Sequence, residues 1–184
     1  MYIGKLGDGS QEDDGIYLLF KEILDNSIDE FLMGAGREID ILIDNGTVSI
    51  RDYGRGVPHG KLVECVAKIN TGAKYDTEAF FRTVGLNGVG TKAVNALSER
   101  FVIESFREGQ AKRAEFCRGE LVQEHPILPT EEVSGTIVCF SPDPEVFPRY
   151  HFNNQFIEDR LWNYAYLNRG LGLRFNGEVI SSMM

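Results

Sequence analysis

Apolar residues recur at Ile16, Phe20, Ile23, Leu24 and Phe31, a spacing that predicts a helix over 14–32 with one buried face. Gly34 and Gly36 end it. Ile39, Ile41 and Ile43 then alternate with polar residues, Asn45-Gly46 is a tight-turn dipeptide, and Val48 and Ile50 resume the alternation, which predicts a β-hairpin. Gly54, Gly56 and Pro58 break the strand; 62–69 reads as a short helix, 72–90 as a loop with few core-type residues, and 89–97 as a helix opened by glycines. Further strands are expected at 101–106, 112–117 and 136–140, then a helix carrying Phe156, Leu161, Trp162 and Leu167, with Trp162 and its aromatic neighbours in the core. A last hairpin should turn at Asn176-Gly177. This helix-first, hairpin-connected order predicts an α+β fold, a two-layer sandwich with helices on one face of a mixed, mostly antiparallel sheet.

Composition narrows the class. With 184 residues, 42% hydrophobic and 26% charged, the chain can bury one core but hardly two, so 1–184 is expected to be a single domain. No apolar run approaches the ~20 residues of a membrane helix, and no basic segment precedes an apolar stretch at the start; no membrane partner is expected and a cytoplasmic location is. Cys65, Cys117 and Cys139 are widely spaced and flanked by apolar residues, which suggests buried reduced thiols rather than a disulfide framework or a metal site. A formal charge of -9 argues against this stretch gripping DNA by itself, because phosphate affinity comes mainly from clustered Lys and Arg.

On the first helix Glu22, Asp25, Asn26 and Asp29 share one stripe. They form either a solvated acidic face or a site in which Glu22 takes a proton from water while the Asn26 amide oxygen ligates magnesium. If the pleat of the second strand persists, Asp52 points to the same apolar side as Val48 and Ile50. A carboxylate there needs a donor, either a ligand amino group or the backbone amides of Gly54 and Gly56. Gly54, Gly56, Gly72, Gly85, Gly88 and Gly90 let backbone approach a ligand closely or let a segment move. The run Gly88-Val-Gly90-Thr-Lys-Ala93 matches a dinucleotide fingerprint, but no buried strand precedes it, and no P-loop motif exists. What survives is glycine-rich backbone entering a helix N-terminus, which favours phosphate. Lys74 could neutralise such a phosphate, whereas His59, His125 and His151 are scattered without nucleophile context.

Taken together, Glu22-x-x-x-Asn26, Asp52-x-Gly54-x-Gly56, Gly85-x-x-Gly88-x-Gly90 and Gly135-Thr136 resemble, in order, the four boxes of the GHKL ATPases, the superfamily of gyrase, Hsp90, MutL and histidine kinases. Met1-Tyr-Ile-Gly4, Thr71-Gly-Ala-Lys-Tyr-Asp76 and the run 85–98 are similar specifically to the ATP-binding domain of bacterial type IIA topoisomerase B subunits. The resemblance implies ATP and Mg2+ as cofactors, Glu22 as the general base and Asn26 as the magnesium ligand. It implies that Asp52 reads the adenine amino group with help from Thr136, and that Arg55, Gly56 and Pro58 wall the adenine pocket. Gly85, Leu86, Asn87, Gly88, Val89 and Gly90 would cradle the phosphates, and Lys74 would contact the terminal one. Asn87 replaces the histidine of the commoner gyrase loop, Phe80 stands where a tyrosine often contacts nucleotide, and Tyr53 where many relatives carry a second polar residue. Arg113 resembles the arginine that lines the inhibitor-binding rim. Asp52-Tyr-Gly54 and the lid lean toward topoisomerase IV over gyrase; a MutL- or Hsp90-like clamp ATPase is the remaining alternative. An N-terminal dimerisation arm would precede Met1 and a transducer domain would follow Met184, leaving a monomer that binds ATP or competitive ATP-site inhibitors and hydrolyses poorly. The implied partners are the A-type chain of the topoisomerase, in a heterotetramer, and DNA held through other domains.

Overall fold

A computed structural model describes residues 14–67 and 90–180. Helix α1 runs Asp14–Leu32. Ile16, Leu19, Phe20, Ile23, Leu24 and Ile28 fill its buried face, as the periodicity requires. Strands β1 (Glu38–Asp44) and β2 (Thr47–Asp52) form the expected hairpin, with Asn45 and Gly46 both at positive φ (49° and 78°), the twist-matched turn that Asn-Gly favours. Its register pairs Ile41 with Ile50 and Ile43 with Val48, so these side chains share the inner face.

A 3-10 turn over His59–Lys61 leads into α2 (Leu62–Val66). This helix stops short of the expected 69 because Ala67 already has extended backbone (ψ 151°). Helix α3 spans Gly90–Ala96. Strands β3 (Ser98–Arg107), β4 (Gln110–Cys117) and β5 (Glu120–Glu124) form a meander, a short β6 (Leu128–Pro129) pairs β4, and β7 is Gly135–Pro142. Helix α4 (Asn154–Leu167) precedes the final hairpin of β8 (Gly172–Phe175) and β9 (Glu178–Ile180).

Among the described residues the strands form one sheet in the order β5-β4-β3-β7-β2-β1-β8-β9, with β6 beside β4. Every pairing is antiparallel except β1 with β8, so the sheet is mixed and mostly antiparallel, as expected. Among the described residues, the inner faces of strands other than β5 and β6 and the four helices contribute to one continuous apolar cluster, which makes the fold two-layered.

Two expectations about single residues fail for the same geometric reason. Trp162 is 44% exposed, because it follows the buried Leu161 and one step along a helix rotates a side chain away from its neighbour's direction. Cys139 sits between Val138 and Phe140 on β7, where alternation sends those two inward and the thiol outward; Cys117 is likewise only half-buried, and Cys65 is exposed. Apolar flanks in a strand thus indicate the opposite of burial.

Candidate nucleotide site

The second strand delivers Asp52 to the inner face of the sheet, opposite Ile39 of β1. Its carboxylate is buried beneath α1 and meets three donors: Gly54 N–H at 3.0 Å and Thr136 N–H at 3.2 Å on Oδ1, and the Ser27 hydroxyl at 3.2 Å on Oδ2. Of the two partners weighed from sequence, the cap on Gly54 is therefore real, and it leaves acceptor capacity on Oδ2. Burial pushes the Asp52 carboxyl above the usual Asp range; the Gly54, Ser27 and Thr136 hydrogen bonds oppose this and the nearby Glu30 adds to it.

Asp52 forms part of a cleft of about 330 Å³. Ile50, Ile103 and Val138 supply its apolar sheet side, Ile23, Asn26, Ser27 and Glu30 its α1 side, and Arg55, Gly56, Val57 and Pro58 its rim. Val66 and Cys65 of α2, Thr91 of α3 and Thr136 of β7 complete it. An apolar slot with a few converging polar groups is the usual form of a small-molecule site. A larger cleft of about 440 Å³ lies between α1 and α4, but it is lined by Tyr17, Phe20, Phe156 and their neighbours and holds none of the residues expected to carry chemistry.

The acidic stripe of α1 divides in two. Asp25 turns toward α4, pairing with Lys21 (2.7 Å) and accepting from the Tyr164 hydroxyl (3.1 Å). Asp29 is exposed. Glu22, Asn26 and Glu30 follow i, i+4, i+8 spacing. Glu22 packs against the start of α3, its carboxyl oxygen so close to Gly90 that a Cβ there would have to push it aside. Burial raises the Glu22 carboxyl above its ordinary value, Lys21 opposing and Asp25 reinforcing. Asn26 donates its amide N–H to the Thr91 hydroxyl at 2.5 Å, which orients the side chain and leaves the carbonyl oxygen without a hydrogen bond among the described residues. Among the described residues no cluster of His, Cys, Asp or Glu could cage a metal. An exposed amide oxygen suits a magnesium ion held mainly by ligand phosphates and water, which is the common mode for that ion.

At the mouth, Arg55 makes a forked ion pair with Glu30, Nη2 to Oε2 at 2.7 Å and Nε to Oε1 at 3.2 Å, while its backbone N–H donates to the same Oε1 at 3.0 Å. The Arg55 hydrogen bond holds the Glu30 carboxyl below its usual range. Arg113 is not at this rim. It pairs with Glu104 in the β3–β4 register and lines a separate depression on the uncovered face of the sheet with Arg100 and Cys139. Besides Arg55, it is Arg107 that reaches the rim, its Nη1 donating to Gly56 O at 3.1 Å.

The structure thus brings Asn26, Asp52, Arg55, Gly56, Pro58 and Thr136 into one cleft and sets Glu22 beside Gly90. Lys74, Phe80, Gly85, Leu86, Asn87, Gly88 and Val89 lie outside the described residues, as does Met1-Tyr-Ile-Gly4. Ser27, Glu30 and Thr91 also join the site, and the sequence pattern does not mark Glu30 or Thr91 for it. For Ser27 a signal exists: it is a polar residue four positions after Ile23 and one before Ile28, within the apolar period of α1.

A buried, amide-bonded aspartate in an apolar slot between a sheet and a helix that also presents a carboxylate and an amide defines a class of ATPase, and the chain belongs to it: it matches the family of histidine kinase-, DNA gyrase B- and HSP90-like ATPases over residues 11–145. The chain is 52% identical over 182 residues to the B subunit of DNA topoisomerase 4 from Borreliella burgdorferi, covering 99% of this chain and 30% of that protein. It is 42% identical over 188 residues to the B subunit of DNA gyrase from Thermus thermophilus, covering 95% and 28%. The fold is similar to the 43K ATPase domain of Thermus thermophilus gyrase B, solved in complex with an aminocoumarin, at a TM-score of 0.71 and 36% identity over 92% of this chain and 46% of that one. The chain therefore spans less than a third of either curated relative.

Proposed function

We propose that this chain is the ATP-binding and ATP-hydrolysing domain of a bacterial type II DNA topoisomerase of the gyrase B kind, closer to topoisomerase IV than to gyrase. The buried Asp52 carboxylate carries the reading: it lies in an apolar slot with acceptor capacity remaining after Gly54, Thr136 and Ser27. The 6-amino group of adenine supplies the donor that such a group lacks, and Ile50, Ile103, Val138 and Pro58 supply flat apolar contact for the base. The difference between 52% and 42% identity favours the topoisomerase IV type.

In this reading Asn26 holds the magnesium ion with its amide oxygen, and the ion neutralises phosphate charge when bound. Glu22 accepts a proton from water as the water oxygen attacks the terminal phosphorus and the bridging P–O bond breaks, releasing ADP and phosphate. Segment 85–90 cradles the phosphates through backbone amides, and Lys74 meets the terminal one. ATP-site inhibitors compete in the same cleft. The whole enzyme pairs this chain with its A-type partner on DNA held by other domains, in the cytoplasm at the nucleoid, and ATP binding and hydrolysis close and reopen its gate.

Calorimetric titration of a non-hydrolysable ATP analogue with magnesium tests this. The wild-type chain is expected to bind, and Asp52→Asn to lose at least about tenfold in affinity, ~1.4 kcal/mol. Equal binding by both removes Asp52 from the site and sinks the reading.

A further inference from the structure

Arg51 stands behind the cleft, on the sheet face that no helix covers among the described residues. The register pairs it with Asp40 of β1 and Ile137 of β7, whereas its neighbour Asp52 points inward. The residue is nonetheless only 7% exposed. Its guanidinium stacks on the rings of Tyr53 and Phe106, 4.3 and 4.7 Å from their centroids. It donates to three backbone carbonyls: Val133 O at 2.5 Å, Ser134 O at 3.4 Å, and Asp52 O. The Glu132 carboxylate lies 3.8 Å away.

One side chain therefore ties the carbonyl of Asp52 to the segment that leads into Thr136. Gly135 makes the clamp possible: at φ 146° it takes a backbone that side chains rarely adopt, and a Cβ there would run into Arg51 Nη1 and Asp52 O. Directly after it, the Thr136 N–H reaches Asp52 Oδ1. Three carbonyls on one planar, rigid fork are a demand that only arginine meets; a lysine ammonium on a flexible stem cannot hold all of them in one arrangement.

We propose that Arg51 is a positioning residue that sets base selectivity from behind the sheet, by fixing where the Thr136 amide sits against the Asp52 carboxylate and so which acceptor lone pairs remain for a purine amino group. The proposal rests on the adenine reading of the cleft. A 6-amino purine offers a donor to those lone pairs, whereas a 6-keto purine presents another acceptor, and selectivity is the difference between the two affinities.

The test titrates the chain with a non-hydrolysable ATP analogue and with its inosine counterpart, for wild type, Arg51→Lys, Arg51→Gln and Asp52→Asn. Hydrogen exchange at the Thr136 amide and thermal unfolding are followed in parallel. Wild type is expected to prefer the adenine analogue by about tenfold or more, and Arg51→Lys to shrink that preference to about threefold or less. Unfolding should stay cooperative, with faster exchange at Thr136 and unchanged exchange at Phe101 and Ile103 of β3. Should Arg51→Gln fail to fold, Arg51→Lys, which keeps the charge and the stem, carries the comparison. Retained preference in the Arg51 variants, or an equal loss for both nucleotides, overturns the role of Arg51 while leaving the adenine reading intact. If wild type binds neither nucleotide, or Asp52→Asn discriminates as well as wild type, the adenine reading falls and this proposal with it.

Discussion

Glu22 is a carboxylate required to be ionised by its proposed task and discouraged from ionising by its burial. Its raised pKa shifts both properties in a calculable direction. As a base it works only when deprotonated, so ATP hydrolysis should decline on acidification at a pH above that expected for an ordinary glutamate. For stability, a carboxyl raised in the folded state favours folding fully below its unfolded pKa, and that contribution is lost as pH rises through the folded value. Glu22→Gln is thus expected to keep nucleotide affinity within about twofold while lowering phosphate release by at least ~10²-fold. Its melting temperature, measured against wild type from acid to neutral pH, should gain relative to wild type as pH rises; a gain that shrinks instead would contradict the burial account. Asp52 was legible because strand alternation places it on the apolar side with Val48 and Ile50. Glu22 and Asn26 lie on a polar helix stripe that periodicity alone reads equally as a solvated face, and their roles came from the family resemblance. Ser27 and Glu30 complete the same cleft, yet their roles depend on the Asp52 carboxylate and the Arg55 guanidinium coming near, which helix periodicity does not encode. The misplacement of Arg113 has a related origin: side-chain direction in β4 is set by its register with β3, and local pattern does not reveal that register.

At the scale of elements, those with a buried side were readable and those without were not. Helix α1, the β1–β2 hairpin and the β8–β9 hairpin fall where periodicity and the two Asn-Gly turns put them. Strand β5 has no buried residue and β6 is two residues long, so neither presents an alternation to detect. Helix α4 shows how a local device holds an element that has a narrow apolar seam. Asn153 accepts the Phe156 N–H on its side-chain oxygen at 3.0 Å, while the Asn153 N–H donates to the Tyr17 hydroxyl at 2.8 Å, joining the start of α4 to α1. Asn153→Ala is expected to cost about 1 kcal/mol, read as a shift in the chemical-denaturation midpoint with unchanged slope, and Asn153→Asp to recover most of it. Loss in both variants alike would mean that the cap does not support the helix.

For the molecule as a whole, the charge of -9 predicts that this chain does not grip DNA by itself. Anisotropy titration of a labelled duplex at about 0.15 M salt should show no saturable binding. Micromolar binding that weakens steeply with salt would point to a basic surface that net charge conceals. The two-layer class was visible in the order of elements, but the strand order was not, because it depends on pairings between distant segments. Strand β7 enters between β3 and β2, and β8 runs parallel beside β1. That ordering has a consequence during synthesis. As the polypeptide leaves the ribosome, α1 and the first hairpin emerge long before the strand that brings Thr136 to Asp52, so on the proposed adenine reading a nucleotide has no complete site to fold the nascent chain around until β7 is out. Even then the outer edge of β1 stays open until Gly172 arrives opposite Glu38, and through that interval it is a template on which a neighbouring nascent chain could add its own strand.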